Sequence, residues 1–262
     1  HIMHTPLEPE ASKELHKVYL AKGIHATTAI EGNTLTEEEV RKMLDKKQFD
    51  LPPSKEYLGI EVENMITLFN EIIKEYKEGN RPEICLERIK KINASILKNL
   101  DLAEEVVPGK IRNYNVGVAR YLGAPHEDCE FLLKKTCEWI NGPDFKSEPG
   151  MEKIYGILRA VLAHIYLAWI HPFGDGNGRT ARMVEFQILV ESGCPIPASL
   201  LLSSHYNATR TEYYRYLDIA SRSNGDVIPF LQYSVQGFLD GLKAQLKKLQ
   251  EQELDLTWET YI

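Results

Sequence analysis

The 262-residue chain is 43% hydrophobic and 26% charged, with a net charge of −7. That is enough apolar material for a substantial core, and the acidic balance argues against broad nonspecific binding to nucleic acid. Cys85, Cys129, Cys137 and Cys194 show neither C-x-x-C nor Cys/His zinc spacing, so they read as buried free thiols of a reducing compartment, with the cytoplasm as default location.

In chain order, Leu15, Val18, Tyr19, Ala26 and Ile30 recur at spacings compatible with one helix face, and Gly32-Asn33 is a reasonable stop. Thr36-Glu37-Glu38-Glu39 reads as a capping box opening a helix with Val40 and Leu44. The stretch from Lys46 to Lys55, with Leu51-Pro52-Pro53, reads as a connector. Helices follow over Leu58 to Tyr76 and Ile84 to Leu100. Gly109 to Val118 alternates polar and apolar residues and reads as a hairpin, the one convincing strand region. Further helices are expected from Cys129 to Ile140 and through the apolar run Ile154 to Ile170. That run is about long enough to raise the question of a membrane, but it contains Arg159 and His164 and enters a polar loop, so a buried central helix fits better. His164 within it reads as a hydrogen-bonded core histidine. An amphipathic helix over Met183 to Val190, a tyrosine-rich one around Thr211 to Leu217 and a last one from Val227 to Leu249 complete a mainly α chain without internal repeats.

Between the central helix and its successor lies His171-Pro172-Phe173-Gly174-Asp175-Gly176-Asn177-Gly178-Arg179-Thr180-Ala181-Arg182. Its glycines fall at the start of the second helix, where unpaired N–H groups and the positive end of the dipole attract anions. Gly176 and Gly178 permit a tight turn and close approach of a phosphate, while Arg179 and Arg182 sit one turn apart on one face. Asp175 is a hard oxygen donor for a divalent cation, and His171 is the natural proton acceptor. The segment fits neither G-x-x-x-x-G-K-[ST] nor G-x-G-x-x-G after a strand.

His171 to Arg182 matches without a gap the H-x-F-x-[DE]-G-N-G-R-x-x-R motif, and the chain so resembles the Fic family, most of whose members transfer AMP from ATP to protein hydroxyls. The resemblance implies a helical bundle around a central helix-loop-helix with a small β-hairpin flap. It implies that His171 takes the proton of a target Ser, Thr or Tyr hydroxyl, and that Asp175 holds Mg2+. Gly174, Gly176, Asn177, Gly178, Arg179 and Arg182 would bind the phosphates of ATP, and Phe173 would anchor the loop. Thr27-Thr28-Ala29-Ile30-Glu31-Gly32 resembles the family's inhibitory signature at Thr27, Glu31 and Gly32, which implies that Glu31 pairs with Arg182 in the place of the γ-phosphate. Residues 1–50 would then be an arm carrying the inhibitory helix and 51–262 the catalytic domain. Val116, Gly117, Val118 and Ala119 resemble the part of the flap that faces nucleotide and target, and Tyr213 and Tyr214 resemble paired tyrosines beside the adenine.

The expected partners are therefore ATP and a target protein, with neither a membrane nor nucleic acid expected, and with homo-oligomerisation left open. Members of this kind often continue into a C-terminal winged-helix domain, so a longer natural chain is expected. Two other functions share these residues: removal of AMP with Glu31 orienting a water, and a nucleotide-gated regulatory module with little turnover. Gly178, where a kinase-type relative carries Lys, favours AMP transfer over phosphorylation.

Overall fold

The computed structural model describes residues 9–45, 51–118 and 121–261. Its helices are α1 (Pro9–Ile30), α2 (Glu37–Leu44), α3 (Glu56–Lys77), α4 (Leu86–Ile96), α5 (Cys129–Ile140), α6 (Glu152–Ile170), α7 (Asn177–Glu191), α8 (Ile196–Ser199), α9 (Leu201–Ala208), α10 (Arg210–Arg222) and α11 (Ile228–Tyr261). Strands β1 (Gly117–Val118) and β2 (Tyr121–Leu122) pair antiparallel, Gly117 opposite Leu122 and Val118 opposite Tyr121. The fold is mainly α, as expected.

Local chemistry sets the helix ends. At the end of α1 the Asn33 N–H bonds the Thr28 carbonyl (3.1 Å) and the Gly32 N–H that of Ala29 (3.0 Å). Gly32 lies at φ 100°, so this is a Schellman stop, and Glu31 becomes the residue that caps the helix. The capping box of α2 is present, Thr36 Oγ1 accepting from the Glu39 N–H (3.2 Å) while the Glu39 carboxylate accepts from the Thr36 N–H (2.6 Å).

Helix α6 lies at the centre and packs most extensively on α7, with α5 and α11 on its other sides. Its length and composition alone would suit a membrane span, but Ala160, Val161, Ala163, Ile165 and Leu167 are buried against these neighbours. Leu20, Ala21, Ile24 and Ile30 of α1 and Val40 of α2 join the same hydrophobic cluster as α3, α6 and α7. The N-terminal helices are thereby built into the core. Phe69 of α3 meets Phe186 of α7 edge to face at 4.7 Å.

Four expectations change. Helix α7 is not amphipathic: Asn177 and every residue from Arg179 to Val190 are buried, because α1, α3, α4, α6 and α8 surround it. The hairpin is displaced, with pairing at Gly117–Leu122 and with Ile111 forming an isolated bridge to Phe173. Polar and apolar residues alternate over Gly109–Val116 because that loop is half-buried, not because it pairs as a strand. The last helix continues to Tyr261, since the polar stretch past Leu249 contains neither Gly nor Pro to stop it. Cys129, Cys137 and Cys194 are buried but Cys85 only partly so; burial pushes the Cys137 and Cys194 thiols up to about 12 and about 11, which leaves them unreactive. Residues 46–50 of the expected connector lie outside the described residues.

Gly156 marks the closest approach of α6 to the end of α7. A Cβ there would stand 2.1 Å from Ser192 Oγ and 2.3 Å from Ser192 Cβ. Helix propensity favours Ala over Gly by about 1 kcal/mol, whereas overpacking costs about 1–3 kcal/mol. Gly156→Ala is therefore expected to destabilise the fold by up to about 2 kcal/mol in urea unfolding, and a stabilised variant would mean that the contact yields freely.

Candidate active site

The polar loop is held from both ends. His171 caps α6 in the left-handed region (φ 49°, ψ 57°), with its N–H on the Leu167 carbonyl at 3.0 Å. A non-glycine residue there is strained unless its surroundings fix it. Phe173 is 1% exposed. Asn177 clamps its main chain reciprocally, Oδ1 accepting from the Phe173 N–H (2.9 Å) and Nδ2 donating to the Phe173 carbonyl (2.8 Å). The Asn177 side chain is thus engaged inside the loop, and its main-chain N–H is the group it offers to an anion. Gly176, at φ 74°, is the N-cap of α7. The first N–H groups of that helix have no intrahelical acceptor.

His171 is largely buried, which lowers its pKa to about 4; the nearby Ala168 carbonyl opposes that shift, Arg112 adds to it, and Glu31 and Asp175 oppose it. The Ala168 carbonyl lies 3.4 Å from Nδ1 and favours the proton there, leaving Nε2 as the basic nitrogen. The imidazole is consequently neutral at physiological pH.

Arg182 is 1% exposed. Its Nε donates to Thr27 Oγ1 (2.7 Å), and one terminal nitrogen donates to the Thr27 carbonyl (3.0 Å) and to Glu31 Oε1 (2.6 Å). Thr27, Glu31 and Gly32 each have a distinct part: Thr27 grips the guanidinium, Gly32 turns the chain, and Glu31 caps the helix with its carboxylate on Arg182. Burial raises the Glu31 carboxyl, but the paired Arg182, with Arg179 and His171 beyond, outweighs this and holds it below the usual carboxylate range. Gly178 gives the room, since a Cβ there would lie 2.2 Å from Glu31 Oε1. The other terminal nitrogen of Arg182 and the Nε of Arg179 are buried with no hydrogen-bond acceptor among the described residues. Unpartnered cationic N–H groups of this kind suit an added anion.

Asp175 Oδ1 accepts from the Gly176 N–H (2.5 Å) and from Arg179 (3.2 Å), and its side chain is 48% exposed. It faces a cavity of about 490 Å3 lined also by Glu31, Glu61, Asp101 and Arg179. Among the described residues no three His, Cys, Asp or Glu side chains surround a common point. An exposed carboxylate beside an anion site fits Mg2+, which keeps waters and takes its remaining ligands from substrate phosphates. Gly174 serves packing, because a Cβ would meet Tyr114 Oη at 2.4 Å.

Three residues outside the motif complete the site. Glu61 accepts from Arg179 (2.7 Å) and from Asn33 Nδ2 (2.8 Å), linking the turn after α1 to α7. Asn93 donates to the Asp175 carbonyl (3.0 Å) and to Thr180 Oγ1 (3.2 Å) and accepts from the Gly109 N–H (3.0 Å). Arg112 donates to carbonyls on both sides of the hairpin and at the end of α6. The sequence offers no signal for the first two. Arg112 stands in the alternating run, where it reads as an ordinary exposed strand residue.

The tyrosines part company. Tyr213 is 2% exposed, its hydroxyl 2.9 Å from His164 Nε2 and its ring stacked on Tyr206 at 4.7 Å, so it does not offer a face to a base. Tyr214 is 42% exposed and reaches the Ile30 carbonyl at 3.4 Å, beside Glu31. His164 is a buried, hydrogen-bonded core residue, as read from the sequence. Val116 accepts from the Gly123 N–H (3.2 Å) across the base of the hairpin, and Gly117 and Val118 form β1. Ala119 lies outside the described residues.

Fold and site together define a helical protein with a neutral histidine set beside an anion-attracting helix N-terminus. The chain matches the Fic/DOC family model over residues 83–189. It is 30% identical over 255 residues to protein adenylyltransferase fic-1 of Caenorhabditis elegans, covering 93% of this chain and 45% of that protein. To protein adenylyltransferase Fic of Nematostella vectensis it is 29% identical over 214 residues, 80% of this chain and 45% of that one. The chain thus spans under half the length of these relatives. Among solved structures, a segment of C. elegans Fic-1 superposes with a TM-score of 0.72 at 27% identity, over 95% of this chain and 68% of that one. A Fic family protein from Desulfovibrio desulfuricans shares the fold with a TM-score of 0.74 at 21% identity, over 92% and 67%.

Proposed function

We propose that the chain is a protein adenylyltransferase that moves AMP from ATP to a Ser, Thr or Tyr hydroxyl of a target protein and is restrained by its own Glu31. The observation that carries this reading is the gathering of one neutral imidazole, one ionised carboxylate and two buried guanidiniums around the N-terminus of α7. The relatives named adenylyltransferases support it. The free cysteines fit a reducing compartment, and the cytoplasm is the location proposed with it.

In this reading the target hydroxyl oxygen attacks the α-phosphorus as His171 Nε2 takes its proton. The bond from that phosphorus to the bridging oxygen breaks, and pyrophosphate leaves. The main-chain N–H groups of Asn177 and Gly178 and the Arg179 guanidinium hold the phosphates, and Arg182 receives the γ-phosphate once Glu31 gives way. Asp175 would hold Mg2+, which supplies charge neutralisation of the phosphate oxygens. The hairpin at Gly117–Leu122 would present its edge to an extended target segment.

The test is incorporation of label from α-labelled ATP into the protein itself, with intact mass showing an increment of one AMP, for the chain as given and for Glu31→Gly. Label in the variant alone is expected. Release of AMP from an adenylylated target, lost in Glu31→Gly, would instead assign the reverse reaction. ATP binding without transfer by either protein would assign a nucleotide-gated regulatory role. Asp175→Ala in the Glu31→Gly chain is expected to abolish magnesium-dependent transfer while leaving the chain folded, at a cost of about 1 kcal/mol for the lost bonds to the Gly176 N–H and Arg179. Full activity with magnesium would remove Asp175 from that role.

A further inference from the structure

Arg112 is 4% exposed, yet among the described residues its guanidinium meets main-chain carbonyls rather than a carboxylate. Its Nε donates to the His171 carbonyl (2.7 Å) and one terminal nitrogen to the Tyr114 carbonyl (2.6 Å); the other donates to the Ala124 and Ile170 carbonyls, the latter at 3.4 Å. Its own N–H bonds the Pro172 carbonyl at 3.0 Å. Four acceptors on three segments are therefore held by one planar fork: the chain entering the hairpin, the chain leaving it, and the end of α6. Gly123 lies against this fork, where a Cβ would stand 3.0 Å from the guanidinium and 3.2 Å from the His171 Cβ.

Two consequences follow from that geometry. His171 occupies the strained left-handed region, and its carbonyl is one of the groups Arg112 fixes; the donor resists relaxation of the backbone that aims the imidazole. The hairpin is only two residues long on each strand, too short to hold itself in place, so its position relative to His171 depends on what ties its two ends. Lys cannot replace such a fork, because an ammonium is a point charge without the planar set of donors.

We propose that Arg112 is a positioning residue for the transfer, fixing the hairpin that carries the target hydroxyl in register with the imidazole of His171. This rests on the adenylyltransferase reading above. The described contacts of the Arg112 guanidinium are with main-chain carbonyls, and it acts through the main chain of its neighbours. Its charge also bears on His171, together with the other charged groups that face the ring, Glu31 from α1 and Asp175 from the loop.

The experiment uses Arg112→Lys and Arg112→Gln in the Glu31→Gly chain, with kcat and KM for ATP and for a target peptide, the pH profile, and the NMR titration of His171. Both variants are expected to lose about 10- to 100-fold in kcat, the loss that misplacement by about 1 Å can cause, with KM for ATP within about twofold, since the clamp meets the loop at His171 and Pro172, ahead of the residues assigned to the phosphates. Arg112→Gln, which removes the charge, should raise the His171 titration midpoint, and Arg112→Lys, which keeps it, should leave that midpoint near the parent's. If KM for ATP rises and the melting temperature falls while kcat holds, Arg112 is ordinary fold support and the proposal is overturned. An unmoved His171 midpoint in a folded Arg112→Gln chain overturns it too. If the parent Glu31→Gly chain transfers nothing, the transferase reading fails instead, while the titration still decides whether Arg112 acts on His171.

Discussion

His171→Ala in the Glu31→Gly chain is expected to lower AMP transfer about 10²- to 10⁴-fold, the contribution of a positioned general base, with ATP binding nearly unchanged. The reason is electrostatic as much as geometric. Burial holds the imidazole at about 4, so it is neutral and able to accept a proton throughout the physiological range. The pH profile of kcat/KM should therefore keep its rate down to an acid limb below the usual histidine value of about 6.5 and lose that limb in the Ala variant. Stability carries a second signature. The unfolded chain protonates His171 near 6.5 and the folded one near 4, so over that window the unfolded state binds the extra proton and stability falls as pH is lowered. The loss reaches about 3 kcal/mol at the acid end and is absent above 6.5. Urea unfolding at pH 7 and at pH 4.5 reads it directly: the parent should lose more than the His171→Ala chain, and equal losses would place the depressed titration elsewhere.

The sequence made the loop legible because each of its residues needs few neighbours to act. Helix N-termini, a C-capping histidine and glycines at a turn are local features, and they stand where the apolar run of α6 ends. What it hid were residues whose roles depend on distant parts of the chain. Glu61 reads as an exposed charge on an amphipathic helix until α3 is laid against α7, where it meets Arg179 at 2.7 Å. Arg112 sits in a run whose alternation mimics a strand, and only the packing of that run on Pro172 and Phe173 reveals a buried fork. Periodicity misjudged α7 for a related reason. The run from Met183 to Val190 reads as one apolar face with a solvated back, whereas the helix is enclosed, and burial of Asn177, Arg179 and Arg182 within it is possible because partners on α1, α3 and the loop accept their hydrogen bonds. Tyr213 failed likewise, since two adjacent tyrosines on a helix must point about 100° apart, and here one lies in the core against His164 while its neighbour faces Glu31.

Glu31→Gly is the change expected to raise transfer most, because it frees a guanidinium that cannot serve two anions at once. Arg182 binds Glu31 at 2.6 Å and is 1% exposed, while the carboxylate partner is 31% exposed. Removing one member of a fully buried pair costs about 3–5 kcal/mol. Partial exposure of Glu31 and the grip of Thr27 on the same guanidinium reduce that, so a competing γ-phosphate faces a barrier of about 1.4–2.8 kcal/mol. That corresponds to a gain of about ten- to a hundredfold in label from α-labelled ATP when Glu31 is removed. Thermal unfolding separates this from a general loosening of the fold. The variant should melt below the parent without nucleotide, because Arg182 then carries an unpaired buried charge, and should recover more than the parent when ATP is added, because phosphate replaces the carboxylate. Glu31→Gln, which keeps size and one hydrogen bond but not the charge, should fall between the two in both measurements. If ATP protects parent and variant equally, the carboxylate does not compete with the nucleotide, and the pair is a structural link between α1 and α7 rather than a restraint on the chemistry.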